Sequence, residues 1–381
     1  MSGVPSNEPR PLSVLRAMID SVDRDVLRLL ARRTALVGEL AEYKRHHRVQ
    51  IRDLARERQI IDDRRARAVE LGLAPNVIES IYRLVMWESR DRQSALRAEI
   101  PPDVDPCTVA IIGGNGQMGG CMARLFEDLG HYVIAADLQT KTTPAEAASA
   151  ADVVVISVPI AETIRVIEQL GPLVRSDALL MDVTSIKQAP VEAMLRSTSA
   201  SVVGTHPMFG PSVHSLQGQR VVLCPGRGRE WEDWLRRMLH ARGLVIKDAD
   251  PASHDRAMAI VQVLVHYRAE VMGKTLARLG VSIEETLSFT SPIYLLELLM
   301  TARHFGQSAD LYASIGMSNP AAGEVTAAFA AAANEVRELI VGRNFEGFRQ
   351  LFEEMRAHFG DFTTEAMDLS SYLIDRLVER A

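Results

Sequence analysis

The run Gly113-Gly114-Asn115-Gly116-Gln117-Met118-Gly119 sets glycines at 114, 116 and 119 in the order G-x-G-x-x-G. It follows Val109–Ile112, a short apolar run of strand type, and opens a helical segment over Gln117–Leu129. In that setting the first glycine permits a tight turn and the second lets backbone approach a pyrophosphate. The third lets helix pack on strand. Asp137 closes the next strand, 18 residues after Gly119. A carboxylate there can take both ribose hydroxyls and repel a 2′-phosphate. Strand, glycine turn, helix and acid together predict a nicotinamide dinucleotide site, for NAD rather than NADP.

The elements that must carry such a site come next. Leu12, Leu15, Ile19, Val22, Val26, Leu29, Leu30, Leu36, Val37 and Leu40 recur at helical spacing, with no Gly or Pro before Gly38. They predict one helix over residues 12–45, roughly 50 Å long. A second helix is expected from about Asp53 to Leu71, ending at Gly72, and a third from about Pro75 to Arg97. Three long helices in under a hundred residues have little of their own to pack against, so they should intertwine with a second copy. Ile100–Pro106, with three prolines and two acids, reads as a linker. Beyond it, Val109–Ile112, Tyr132–Ala136, Val153–Val158, Leu179–Val183, Val202–Gly204 and Arg220–Leu223 look like buried strands separated by helices. That alternation predicts a parallel, doubly wound sheet. From Pro251 onward the chain reads as helix, rich in Ala, Leu, Met and Glu.

Composition narrows the class. At 381 residues, 47% hydrophobic and 24% charged, the chain reads as a multidomain globular protein. Residues 1–98 hold 19 Lys/Arg and 14 Asp/Glu, a net of +5, which leaves −11 for the rest of a chain whose total is −6. A basic module often signals nucleic acid. Here the bases are nearly all Arg, interleaved with acids, which suits small carboxylate ligands better than a phosphate track. Cys107, Cys121 and Cys224 are odd in number and far apart, which predicts reduced thiols in the cytoplasm. The opening MSGVPSNEPRP has no apolar core and the most apolar run, Val153–Ala161, is short, so neither leader nor membrane anchor is expected.

Two groups of motifs resemble known families. Val153–Pro159 (VVVISVP), Asp182–Lys187 (DVTSIK), Thr205–Pro211 (THPMFGP), His254-Asp255 and Ser291–Tyr294 (SPIY), after the glycine fingerprint, resemble prephenate dehydrogenase over about residues 107–360. The first hundred residues resemble the all-helical chorismate mutase family, and the two in this order resemble the fused bacterial T-proteins. The mutase resemblance implies a pericyclic rearrangement of a dianion, which needs no nucleophile but must hold a compact conformer and stabilise charge on an ether oxygen. It implies that Arg16 and Arg33 clamp two carboxylates and that Lys44 and Gln93 donate to the ether oxygen. Asp53 and Glu57 match positions that meet the substrate hydroxyl and nearby backbone, and Arg56 and Ser89 complete the carboxylate shell. Independently, Arg16 and Arg33 lie 17 residues apart on one helix, roughly 25 Å along its axis. One small substrate cannot be gripped by both from the same chain, so Arg16 should come from a partner.

The dehydrogenase resemblance implies hydride transfer to NAD with loss of the ring carboxylate as CO₂. It gives His206 the role of accepting the hydroxyl proton, for which a neutral histidine is suited. Ser157 would orient His206 and the substrate, Lys187 would face the same cleft or mark a helix start, and Arg303 would meet substrate carboxylates, aided by Arg268. Gly114, Gly116, Gln117, Met118, Gly119, Asp137, Val158 and Pro159 would line the cofactor. His254 and His266 match positions near the cleft, with core or interface roles as alternatives. One position departs: the family's SPIYR reads SPIYL, so Leu295 stands where an arginine is expected. That leaves 4-amino-4-deoxyprephenate open as an alternative substrate. The expected architecture is multidomain α and α/β: a helical mutase domain at 1–99, a linker at 100–106, a Rossmann-type domain at 107–249 and a helical substrate and dimerisation domain at 250–381. A homodimer with small-molecule substrates is expected, with no nucleic acid, membrane or metal partner.

Overall fold

The computed structural model describes residues 10–47, 53–95, 104–213 and 215–378. Residues 100–103 of the expected linker lie outside them. The chain opens with three helices, α1 (Leu12–His46), α2 (Leu54–Glu70) and α3 (Pro75–Ala95), and α3 packs on both others. Asp53 caps α2 by accepting from the Arg56 N–H, and Pro75 starts α3, where a missing N–H costs nothing. Most of the apolar stripe of α1 is uncovered: Ile19 is 59%, Val22 61% and Leu29 65% exposed. Burying each such side chain would contribute roughly 1.5–3 kcal/mol, so a lone copy of this hairpin leaves its main stabilising surface in water.

The middle of the chain runs β1 (Thr108–Ile112), α4 (Gln117–Asp128), β2 (Tyr132–Ala136), α5 (Pro144–Ala150), β3 (Val153–Ile156), α6 (Ile160–Leu170), β4 (Leu179–Asp182) and α7 (Gln188–Ser197). It continues through β5 (Ser201–Pro207), β6 (Arg220–Arg227), α8 (Arg229–Ala241) and β7 (Val245–Asp248). The seven strands form one sheet in the order β2-β1-β3-β4-β5-β6-β7. The first five are parallel, and β3 and β4 are buried along their whole length, which is why they read as continuous apolar runs. One apolar core lies on each face, one with Phe126 and Leu235 against the sheet, the other with Ile167 and Met194.

Three features differ from the sequence reading. Strand β6 runs antiparallel to β5, because the described residues of 208–219 carry no helix to bring the chain back to the starting edge, and a parallel return needs such a crossover. The seventh strand, β7, was not anticipated: its residues Val245–Asp248 are largely exposed at the sheet edge and show no apolar run. The strand expected over Val153–Val158 ends at Ile156, since Pro159 caps α6.

The rest is helical: α9 (Pro251–Met258), a single π-helical turn (Ala259–Leu264), α10 (Val265–Leu279), α11 (Ile283–Ser288), α12 (Pro292–Phe305), α13 (Ala309–Ser318), α14 (Ala322–Val341), α15 (Phe345–Phe359) and α16 (Phe362–Val378). The π turn inserts a residue between α9 and α10 and so rotates the side chains after it, a device common at functional sites. Large apolar side chains on the last helices are exposed, Phe345 and Met367 among them. No helix among the described residues is long and apolar enough to cross a membrane.

Candidate active sites

Helices α1 and α3 bring part of the predicted mutase set together. The Arg33 guanidinium donates to Ser89 Oγ and, at 3.3 Å, to the Val85 carbonyl, while Ser89 Oγ itself donates to that carbonyl at 2.6 Å. Gln93, one turn further along α3, donates to the Ser89 carbonyl at 3.0 Å and leaves its own Oε1 buried without a partner. Lys44 lies close enough to Asp53 and Glu57 to feel both charges. Burial pushes its ammonium below the usual lysine range, and the two carboxylates oppose that. Glu57 also pairs with Arg90 at 2.7 Å. Arg56 is exposed and reaches Gln59 at 3.4 Å. Arg16 is exposed near the far end of α1, away from the Arg33 group. One chain therefore groups Arg33, Ser89 and Gln93 and sets Lys44 beside Asp53 and Glu57, while Arg16 lies 17 residues from Arg33 along α1.

In the sheet domain, β1 runs into the glycine turn as expected, with a different division of labour. The left-handed residue is Gly113, at φ 88°, and a Cβ there would run into the Ser157 carbonyl. Gly114 instead presses on β2, where an added Cβ would lie 2.7 Å from Ala135. Gly119 packs the start of α4 against Gly113. Gly116 caps α4 without a side-chain partner, and the first turn of the helix, with Gln117 and Met118, carries no acid. Its free N–H groups and positive dipole end suit a pyrophosphate. Asp137, at the end of β2, accepts from the N–H of Leu138 at 2.8 Å and of Asn115 at 3.3 Å, so its carboxylate lies across the glycine turn. Ser157, Val158 and Pro159 follow β3 directly; Ser157 is beside the turn, and its N–H donates to Ile112. These residues fit a dinucleotide.

The densest polar network lies at the junction of the sheet and the C-terminal helices. His206, near the end of β5, is 2% exposed, and its Nδ1 lies 2.9 Å from Nε2 of His254 on α9. His254 Nδ1 lies 2.7 Å from Asp255 Oδ1. Asp255 also accepts from the N–H groups of Lys187 at 2.8 Å and Gln188 at 3.0 Å, capping α7 from a distant segment. On its other side, His206 Nε2 meets the Gln262 amide nitrogen, from the π turn, at 3.3 Å. Burial drives the His206 imidazole well below the ordinary histidine range, and His254 and Lys187 add to that shift. Burial pushes the Asp255 carboxyl up, but the His254 bond and the two backbone donors outweigh it and hold the group below the usual carboxylate range.

Lys187 is fully buried rather than open to the cleft. Its ammonium donates to Asp182 and, at 2.7 Å, to the Thr205 carbonyl. That carbonyl immediately precedes His206, so Lys187 anchors the backbone that carries the histidine. Burial lowers the Lys187 pKa and Asp182 opposes it. Among the described residues no hydrogen bond joins the Ser157 hydroxyl to His206. Arg303 is exposed on α12, whereas its neighbour His304 is buried. Position 295 lies one turn before the buried Leu298 and is partly covered. His266 packs on His304 and Tyr312, a ring cluster in which burial, aided by His304, lowers its pKa to about 4. Arg268 pairs with Glu297 at 3.1 Å.

Sequence reasoning did not single out Gln262 or Asn319, whose amide donates to the Asp255 carbonyl at 2.8 Å. Gln262 lies one helical turn before His266, but the π turn shifts its direction, and helical spacing alone does not aim it at His206.

Comparison with known proteins finds three family matches along the chain. Residues 15–94 match the chorismate mutase type II family, residues 130–247 the prephenate dehydrogenase nucleotide-binding domain and residues 250–355 the prephenate dehydrogenase dimerization domain. The T-protein of Haemophilus influenzae is 32% identical over 366 residues, covering 96% of this chain and 97% of its own. The T-protein of Enterobacter agglomerans is 36% identical over 351 residues, covering 92% and 93%. A crystal structure of prephenate dehydrogenase from A. aeolicus, with hydroxyphenyl propionate and NAD+, shares the fold at a TM-score of 0.58 and 20% identity, covering 67% of this chain and 98% of that one. The chain belongs to the T-protein family, with chorismate mutase and prephenate dehydrogenase joined in one polypeptide.

Proposed function

We propose that the chain converts chorismate to prephenate in its helical region, 1–99, and oxidises prephenate to 4-hydroxyphenylpyruvate and CO₂ in the region 107–381, as a cytoplasmic homodimer. The sheet region, 107–249, binds the dinucleotide and the helices of 250–381 complete the substrate site and self-associate. In the mutase site Arg33 and the partner subunit's Arg16 clamp the two carboxylates. Lys44 and Gln93 donate to the ether oxygen; the orphaned Gln93 Oε1 marks an amide still lacking part of its bonding. Ser89 and Arg56 support the carboxylates, and Asp53 and Glu57 hold Lys44 and the substrate hydroxyl. The exposed stripe on α1 supports a partner wrapped along it.

In the second site Gly114, Gly116, Gln117, Met118 and Gly119 hold the pyrophosphate, Asp137 the ribose, and Val158 and Pro159 border the ring end. NAD, when bound, supplies the hydride acceptor. His206 takes the hydroxyl proton of the substrate on Nε2, and a base kept neutral by burial can do so at physiological pH. Ser157 orients the substrate hydroxyl, Lys187 fixes the backbone before His206, and Arg303 draws in carboxylates from the surface. The observation that carries this reading is a buried His206 near the end of β5, its pKa lowered by burial, with the glycine turn at the end of β1 in the same sheet.

The test is a coupled assay: chorismate and NAD+ are supplied alone and NADH is read. NADH should appear without added prephenate, and more slowly with NADP+. Absence of NADH with both chorismate and prephenate would overturn the reading. A second substrate, 4-amino-4-deoxyprephenate, is favoured by Leu295, which leaves the inner side of α12 without a cation at that position. It is excluded if purified protein turns over prephenate clearly faster.

A further inference from the structure

The bonds around His206 form a chain with a direction. The Asp255 carboxylate accepts two backbone N–H groups, so it is ionised and can only accept from His254 Nδ1. His254 Nδ1 therefore carries a proton. With the ring neutral, its Nε2 is a bare lone pair, and the group 2.9 Å away, His206 Nδ1, must be the donor. His206 then has its lone pair on Nε2. The Gln262 amide nitrogen, a donor, is the group that meets that atom. Every bond agrees with one assignment. The opposite assignment would set two lone pairs against each other at Asp255 and His254, both buried.

We propose that His254 and Asp255 are a positioning pair that fixes His206 as its Nδ1–H tautomer, leaving Nε2 as the acceptor of the substrate hydroxyl proton. The inference rests on the reading of His206 as that acceptor and deepens it. When the proton arrives on Nε2, His206 becomes an imidazolium, and its charge is met through Nδ1–H and His254 by the Asp255 carboxylate. Nothing else changes hands in that step. Without His254, the buried His206 Nδ1 has no acceptor, and an unpaired buried N–H is strongly disfavoured. The ring would then favour Nε2–H, which can donate to Gln262 once the amide turns over, because Gln262 Oε1 is buried and without a partner. That tautomer has no lone pair where the substrate needs it.

The test uses the full chain, with mutase turnover as the control for folding. In His254→Gln the amide can donate to Asp255 and accept from His206, so the tautomer survives; in His254→Phe it cannot. His254→Phe should lower dehydrogenase kcat about thirtyfold or more, with KM for prephenate changed less than about threefold. His254→Gln should stay within about fivefold of wild type. Nitrogen-15 spectra of the imidazoles should show His206 protonated on Nδ1 in the wild type and in His254→Gln, and on Nε2 in His254→Phe. Equal loss in both variants, an unchanged kcat in His254→Phe, or a wild-type His206 protonated on Nε2 would overturn the proposal. If His254→Phe loses mutase activity as well, the wild-type spectrum alone decides. His206→Asn separates the two readings. If it abolishes oxidation while His254→Phe does not, only the positioning pair is wrong. If it leaves oxidation intact, both are.

Discussion

The two active regions solve the problem of buried charge in opposite ways. Around His206 the ionisable groups are paired within one chain, Lys187 by Asp182, Asp255 by two backbone N–H groups and His254 by both its neighbours, although Gln262 Oε1 and Asp182 Oδ1 are buried without partners. Around Arg33 the set is unfinished, with Gln93 Oε1 orphaned and Arg16 out at the end of an exposed, apolar helix. A base whose protonation state must be controlled benefits from a closed, dry setting. A clamp for a doubly charged, freely diffusing ligand must stay open to water until the ligand arrives, and it can be closed by a second copy.

That contrast can be broken by exchanging losses between the regions. His206→Asn should lower dehydrogenase kcat by about 10²–10⁴ and leave mutase turnover at the wild-type level. Arg33→Ala should do the reverse, lowering mutase kcat/KM by about 10²–10³. A parallel fall of both activities in either variant would show that the regions are not independent.

The claim that one mutase site is shared between two chains is sharpened by mixing. Arg16→Ala and Arg33→Ala subunits should each lose most mutase activity, but a hybrid dimer would have one site with both arginines intact. Random reassortment should restore about a quarter of wild-type activity, and no recovery would mean that both arginines act within one subunit.

Removing the buried cation tests the closed region from another side. Lys187→Met leaves Asp182 as an uncompensated buried charge, so thermal unfolding of the sheet domain should show a loss of about 3–5 kcal/mol. An unchanged Tm would mean that the pair is dispensable.

The smallest effect concerns pH. His206 and His266 both titrate below the ordinary histidine value in the folded chain. As pH falls through about 6.5 the unfolded state gains protons that the folded state refuses, so stability should be present above that range and decline below it. A Tm that rises between pH 7 and 5 would contradict this.

How far the sequence revealed these sites follows from how local their signals are. The glycine fingerprint was legible because turn, strand and helix are adjacent in the chain, although the left-handed residue proved to be Gly113, one position earlier than expected. The apolar runs of β1, β3 and β4 announced themselves because both faces are buried. Strand β7 did not, since it lies exposed at an edge. The grouping of Arg33, Ser89 and Gln93 was expected only through resemblance, and the separation of Arg16 from Arg33 through helix geometry. The Asp255–His254–His206 chain was not: it joins segments 48 residues apart, and no periodicity records which ring nitrogen meets which. Lys187 was expected to face the cleft or mark a helix start, and only packing shows that it faces inward onto Asp182.

The uncovered stripe on α1 and the exposed apolar side chains of the last helices lie on the same polypeptide. If each mates with its counterpart on a second molecule, the first contact to form tethers the other pair of surfaces at millimolar local concentration. Dilution that would separate an isolated mutase fragment would then leave the whole chain paired. Severing the backbone near residue 100 should make mutase turnover depend on enzyme concentration while oxidation stays indifferent to it.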